Sequence, residues 1–149
     1  MSRQTGGVER AGRTQTEQDT IRRILTGCET WAIVGLGDNP SRPAYGVAKT
    51  LQRNGKRIVP VHPSAATVHG EQGYATLADI PFAIDCVDVF RRADEAGQYA
   101  DAAVEIGAKA VWFQLDVVDQ AAYERATRAG LDMVMDRCPA IELPRLGTS

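Results

Sequence analysis

Nine consecutive residues, Gly35-Leu36-Gly37-Asp38-Asn39-Pro40-Ser41-Arg42-Pro43, carry the pattern with the clearest chemical use. They follow the apolar run Trp31–Val34 and precede the helical pattern Ala44, Val47, Ala48 and Leu51. Gly35 permits a tight turn out of a strand, and Gly37 permits a bulky group to approach the backbone. The first N–H groups of the helix, from Ala44 onward, carry partial positive charge and suit a pyrophosphate. Arg42 can add a charge-assisted bond to the same phosphates. The alternative is an ordinary strand-to-helix turn, since glycines at this spacing are by themselves weak evidence.

Two departures separate this loop from ordinary NAD binding. Pro40 stands where the dinucleotide fingerprint has its third glycine, which serves close helix–strand packing. The next strand ends in Val61-His62-Pro63, with no acid to accept a ribose 2′-hydroxyl. His62 can offer its ring to a base or ribose, or simply face solvent at a strand end.

Further along, Phe90-Arg91-Arg92 ends another strand pattern. A phenyl ring can pack on an adenine, and guanidinium groups can hold phosphate oxygens. The competing reading is a solvated pair of arginines bonded to Asp94 and Glu95. Gln114 ends the next strand, where its amide can bond either a ligand or its own loop. Cys138, in Asp136-Arg137-Cys138-Pro139, is the remaining reactive candidate. Arg137 beside it could favour a thiolate able to join a cofactor thiol, and the alternative is a small buried apolar residue.

These residues need a scaffold that gathers strand ends, and the pattern supplies one. A helix reads from Thr16-Glu17-Gln18-Asp19 through Ile21, Ile24 and Leu25 to Gly27. Strands follow at Trp31–Val34, Arg57–Val61, Asp85–Phe90, Ala110–Gln114 and Asp132–Met135, with a further short one near Thr67–His69. Helices read from Pro43 to before Gly55, over Asp94–Ile106 and over Asp119–Ala129, with one helical turn near Leu77. Gly107 and Gly130 stand where helices must end.

Strands separated by helices give a parallel sheet. The expected fold is therefore a Rossmann-like three-layer α/β/α domain with five to six mainly parallel strands and a central order 3-2-1-4-5. Ligands of such sheets bind where the strand order reverses, beside the C-terminal ends of the first and fourth strands.

Composition excludes several classes of function. The 149 residues suit one domain, expected over 16–143, with a flexible tail over 1–15 and a short tail over 144–149. A net charge of −2 with interspersed signs argues against a nucleic-acid partner. No apolar stretch is long enough to cross a membrane, and residues 1–15 contain no signal-type apolar core. The three cysteines, Cys28, Cys86 and Cys138, form no zinc spacing, and two histidines are too few for a histidine-rich metal site. Widely spaced cysteines without a secretion signal lead to an expectation of reduced thiols in the cytoplasm.

The runs WAIVGLGDNPSRPAYGVAKTLQRNG, RIVPVHP, YATLADIP, DCVDVFRR, IGAKAVWFQL and AGLDMVMDRCPAIE resemble the small stand-alone bacterial CoA-binding proteins. The resemblance covers nearly the whole expected domain, in the right order. It implies a Rossmann-like domain that binds CoA or acyl-CoA, similar to the nucleotide domain of the succinyl-CoA synthetase α subunit. By position, Gly35 to Pro43 would receive the phosphates, and Val61, His62 and Pro63 would border the ADP. Phe90, Arg91 and Arg92 would close the other side, with Gln114 nearer the pantetheine exit.

Gly37 and Ala44 stand where the family often has hydroxyl residues, which removes two phosphate donors. The CoA-ligase relatives use a phosphorylated histidine carried outside this domain, and no catalytic constellation is visible here. The expectation is binding without catalysis. An NAD(P)-using oxidoreductase fragment and a regulatory domain with a vestigial site are the alternatives. A homodimer or a protein partner is left open.

Overall fold

A computed structural model describes residues 15–146. The tail expected over 1–15 lies, but for Gln15, outside the described residues, as do 147–149. Five strands form one parallel sheet: β1 (Thr30–Val34), β2 (Arg57–Val61), β3 (Cys86–Val89), β4 (Ala110–Phe113) and β5 (Asp132–Val134). Their spatial order is β2-β1-β3-β4-β5. The helices are α1 (Gln15–Gly27), α2 (Pro43–Arg53), α3 (Ala93–Glu105), α4 (Gln120–Arg128) and α5 (Pro139–Leu146). The Rossmann-like α/β class expected from the alternation is the class observed.

The period-2 alternation of each strand sends neighbouring residues to opposite faces and divides the core in two. Trp31 and Ile33 pack with Ile24 and Leu25 of α1 and with Ala44, Ala48 and Leu51 of α2. Ala32, Val34, Val87 and Val111 face the other way, against α3 and α4. There the contact is built from Ala96, Ala100 and Ala103 on one helix and Ala122 and Ala126 on the other. Small side chains let these two helices approach closely, and a Cβ on Gly97 would lie 2.8 Å from Asp119 Oδ2.

The two buried tryptophans lie with ring centroids 5.9 Å apart. Each finds an acceptor for its indole N–H: Trp31 donates to Cys28 O at 2.9 Å, and Trp112 to Arg137 O at 2.8 Å.

The irregular stretch after β2 differs from the reading of the sequence. No strand forms near Thr67–His69. His69 and Gly70 both have positive φ, 53° and 83°, and make a tight turn closed by a single antiparallel bridge between Val68 and Glu71. The outer edge of β2 is met instead at Tyr74, by one parallel bridge to Val61. A backbone that turns at Ala65 (φ 53°) and again at His69 cannot hold a ladder, so the sheet stops at five strands. The helical turn expected near Leu77 is a single 3-10 turn, Leu77–Asp79.

α5 was not legible in the sequence. It is short, contains Pro144 and lacks a polar capping residue. α4, by contrast, begins at the expected place because Asp119 caps it, accepting the Ala122 N–H at 3.0 Å. Asp119→Ala is expected to lower stability by about 1 kcal/mol, measured by urea unfolding at neutral pH.

Candidate functional site

The strand order reverses between β1 and β3, and a cleft of about 890 Å³ opens at their C-terminal ends. Its first wall is the loop from Gly35 to Pro43. Gly35 has φ 100° and donates its N–H to Val61 O at 2.8 Å, so the loop is tied to the end of β2 as it leaves β1. Phe90 crosses directly beside it: a Cβ at Gly35 would sit 2.9 Å from Phe90 O.

The next turn is held by Asn39, whose Oδ1 accepts both the N–H of Ser41 at 3.0 Å and its hydroxyl at 2.8 Å. Arg42 then occupies the position before α2, and Pro43 begins the helix without an N–H to satisfy. The N–H groups of Gly37, Asp38, Asn39 and Ala44 have no acceptor among the described residues. These unpaired donors beside the cleft are the arrangement an anion requires.

His62 forms the adjoining wall. A Cβ on Gly37 would lie 3.1 Å from its ring, so the bare glycine makes room for the imidazole. The Ser64 N–H donates to Nδ1 at 3.1 Å, and Ser64 Oγ lies 2.9 Å from the same nitrogen. A ring that accepts at Nδ1 carries its proton at Nε2, the atom nearer Gly37. A side chain at position 37 would therefore have to displace this ring. The other histidine is engaged elsewhere: His69 Nε2 lies 2.8 Å from Tyr45 O, and the two rings are 4.3 Å apart.

Across the cleft lie Phe90, Arg91 and Arg92. Both arginines are paired with acids at the start of α3. Arg91 bonds Glu95 at 2.8 Å, while Arg92 bonds Glu95 at 3.0 Å and Asp94 at 3.2 Å. Arg42 has no such partner among the described residues. The lining holds three guanidinium groups (Arg42, Arg91, Arg92) and three carboxylates (Asp38, Glu95, Asp116), so its side-chain charge is balanced. The loop N–H groups and Arg42 are then the donors left free of a carboxylate among the described residues. None of the three acids comes from the end of β2.

The far wall is made by the segments after β4 and β5. Gln114 is 6% exposed, and its buried Oε1 has no hydrogen-bond partner among the described residues. An unpaired buried amide costs free energy, which a ligand able to bond it would recover. Cys138 also lines the cleft and is 6% exposed. Its carbonyl accepts the N–H groups of Ile141 and Glu142, both at 3.0 Å, which opens α5. Asp136 Oδ1 accepts the Asp116 N–H at 2.8 Å and ties the two segments together. The Arg137 guanidinium donates to Glu17 at 3.0 Å and to Asp136 O at 2.7 Å.

Of the residues singled out in the sequence, Gly35, Gly37, Asn39, Arg42 and Pro43 lie on the first wall of the cleft. His62, Phe90, Arg91, Arg92 and Gln114 come to it from the other strand ends. The remaining five line no part of it. Leu36 is fully buried beneath α2, and Val61 is buried at the end of β2. Pro40, Ser41 and Pro63 are exposed beside the loops they shape. Outside the Gly35–Pro43 loop, the residues missed were Val47, Ser64, Glu95, Leu115, Asp116 and Val117. Ser64 carried a usable signal, a hydroxyl two residues after a strand-end histidine. The Leu115–Val117 turn carried none.

Residues 29–144 match the protein family described as CoA binding domain. The chain is 34% identical over 118 residues to the uncharacterized protein YneT of Bacillus subtilis (strain 168), covering 79% of this chain and 87% of that protein. A hypothetical protein from Pyrococcus horikoshii OT3 superposes with a TM-score of 0.81 at 37% identity, over 87% of this chain and 91% of that one. The Thermus thermophilus protein cell-free ID.343 superposes with a TM-score of 0.80 at 30% identity, over 87% of this chain and 98% of that one. No helix among the described residues is long and apolar enough to cross a membrane.

Proposed function

The chain belongs to the CoA binding domain family, and from that premise we propose that its cleft holds CoA or an acyl-CoA by the ADP and pyrophosphate, without transforming it. The observation that carries this reading is that the N–H groups of Gly37, Asp38, Asn39 and Ala44 and the Arg42 guanidinium have no partner among the described residues. The pyrophosphate would rest on these donors, with the His62 Nε2–H beside it. Phe90 would cover the adenine. Gln114 would meet an amide of the pantetheine arm, whose N–H and C=O match the donor and acceptor of its own amide. CoA supplies a thiol for acyl attachment, and this chain's residues would bind and orient it.

The absence of an acid at the end of β2 weighs against an NAD reading, since the ribose 2′-hydroxyl would find no carboxylate there. Reading the protein as a binder and not an enzyme rests on how its polar groups are used. His62 is held by Ser64 and His69 by a carbonyl. Among the described residues no cluster of His, Cys, Asp or Glu could hold a metal ion.

Calorimetric titration with CoA, acetyl-CoA, NAD, NADP and ATP tests the reading. Saturable binding of CoA or acetyl-CoA in preference to NAD is the expected result. A response to NAD alone would overturn the reading, and no response to any of the five would favour a vestigial site. Arg42→Ala is expected to weaken CoA binding by about tenfold or more, the scale of one charged hydrogen bond. Arg92→Ala is expected to do less, because Arg92 is 76% exposed and already paired with Asp94 and Glu95. Equal losses in the two variants would refute the special place given to Arg42.

A further inference from the structure

We propose, on the reading that the cleft takes CoA, that Cys138 is a modification site at which the protein forms a mixed disulfide with the cofactor's own thiol. All three cysteines are free. Cys28 and Cys86, 4% and 0% exposed, are packed in the core beneath α1. Cys138 alone among them lines the cleft.

A second observation marks the same wall as a place for a ligand. The Gln114 amide is more than nine-tenths buried and lines the same cleft, yet its Oε1 has no hydrogen-bond partner among the described residues. A chain of amides ending in a thiol, which is the chemistry of a pantetheine arm, would satisfy Gln114 and bring a sulfur to this wall. Leu115 and Val117 give it apolar flanks. Cys138 is also firmly placed. Trp112 and Asp116 bond to the two residues before it, and its own carbonyl opens α5.

The step is a thiol–disulfide exchange with the symmetric disulfide of CoA as co-reactant. The Cys138 thiol loses its proton, and the thiolate attacks one sulfur of that disulfide. The old S–S bond breaks as the Cys138–CoA bond forms. The second CoA leaves as a thiolate and takes up a proton. Cys138 sulfur is oxidised and the departing CoA is reduced, so electrons balance. Excess free thiol reverses the exchange.

The full chain would be treated with CoA disulfide and, separately, with glutathione disulfide at equal concentration, then analysed by intact mass and peptide mapping without reductant. The expected result is one CoA per chain on Cys138, removed by dithiothreitol. It should form at least about tenfold faster than the glutathione adduct, because a bound cofactor raises the local concentration of its sulfur. Desulfo-CoA should suppress it by occupying the cleft, and Cys138→Ser should lack it. A chain that binds CoA calorimetrically but gains no adduct, gains it on Cys28 or Cys86, or reacts equally with glutathione disulfide overturns the inference and leaves the binding reading intact. A chain that fails to bind CoA at all removes the binding reading itself.

Discussion

Gly35→Ala is expected to destabilise the fold by at least about 2 kcal/mol and to remove CoA binding with it. The backbone there has φ 100°, a conformation that costs a residue with a side chain about 1–3 kcal/mol. The new methyl would also stand 2.9 Å from Phe90 O and 3.2 Å from Phe90 Cβ, so β1 and β3 would have to part at their C-terminal ends. Forced repacking of that kind adds about 1–3 kcal/mol. Urea unfolding reads the loss as a lower midpoint at unchanged slope. Gly46→Ala in α2 is the control, because a Cβ there meets nothing within 4 Å. It is expected to stabilise by about 0.5–1 kcal/mol through helix propensity. Similar midpoints for both variants would show that the loop is not held by Phe90.

Asp88→Asn is expected to stabilise the protein at neutral pH, by an amount that grows as pH rises. Asp88 sits in the middle of β3, between Ile33 of β1 and Trp112 of β4, and is fully buried. Neither carboxyl oxygen has a hydrogen-bond partner among the described residues. Burial pushes its pKa well above the ordinary carboxylate range, so the folded chain keeps the proton. An unfolded aspartate releases its proton near about pH 3.9. Between that value and the raised folded one, the native state binds one more proton than the unfolded state. Stability therefore falls with rising pH by about 1.4 kcal/mol per unit, and the neutral amide removes this slope.

Asp85 acts in the opposite sense. Burial raises it, but N–H groups of Thr30 and Glu29 and the Lys109 ammonium outweigh that and hold it low. Its contribution is lost as pH falls through its folded value, so the comparison belongs between about pH 5 and 7, above the acid range. Unfolding free energies of Asp88→Asn and the parent that run parallel over this interval would show that Asp88 is ionised or partnered in solution.

Much of the scaffold was legible because its signals are local. Pro43 at the first helical position, Gly55 and Gly107 just past helix ends, the apolar run Trp31–Val34 and the strand pattern Asp85–Phe90 each depend on residues within one turn or one strand. The expected strand near Thr67–His69 failed for a reason equally local but conformational: positive φ at His69 and Gly70 turns the chain there. α5 was missed because Pro144 and the uncapped start masked an eight-residue helix.

The cleft was legible only in part. Its first wall is continuous in sequence, from Gly35 to Pro43, and could be read directly. Residues of the second kind meet through sheet order: Phe90 beside Gly35, and His62 against Gly37. Spacing could suggest that these strand ends converge, but not that the ring fills the space a side chain at position 37 would need. Arg91 and Arg92 line the cleft, yet their pairing with Glu95 and Asp94 leaves Arg42 as its guanidinium without a counterion among the described residues.

By itself, then, the sequence determined an alternating α/β domain with a phosphate-suited strand–loop–helix at Gly35–Pro43, and its long resemblance pointed to CoA. Those features follow from neighbours along the chain, whose geometry the backbone dictates. Only the tertiary structure decided that the N–H groups of Gly37, Asp38, Asn39 and Ala44 and the Arg42 guanidinium are left without partners among the described residues, and that Gln114 and Cys138 share a wall. It also decided that Asp88 is sealed in the sheet. Each of these depends on residues far apart in sequence meeting at a set register, and that register is chosen by packing the two faces of the sheet as a whole.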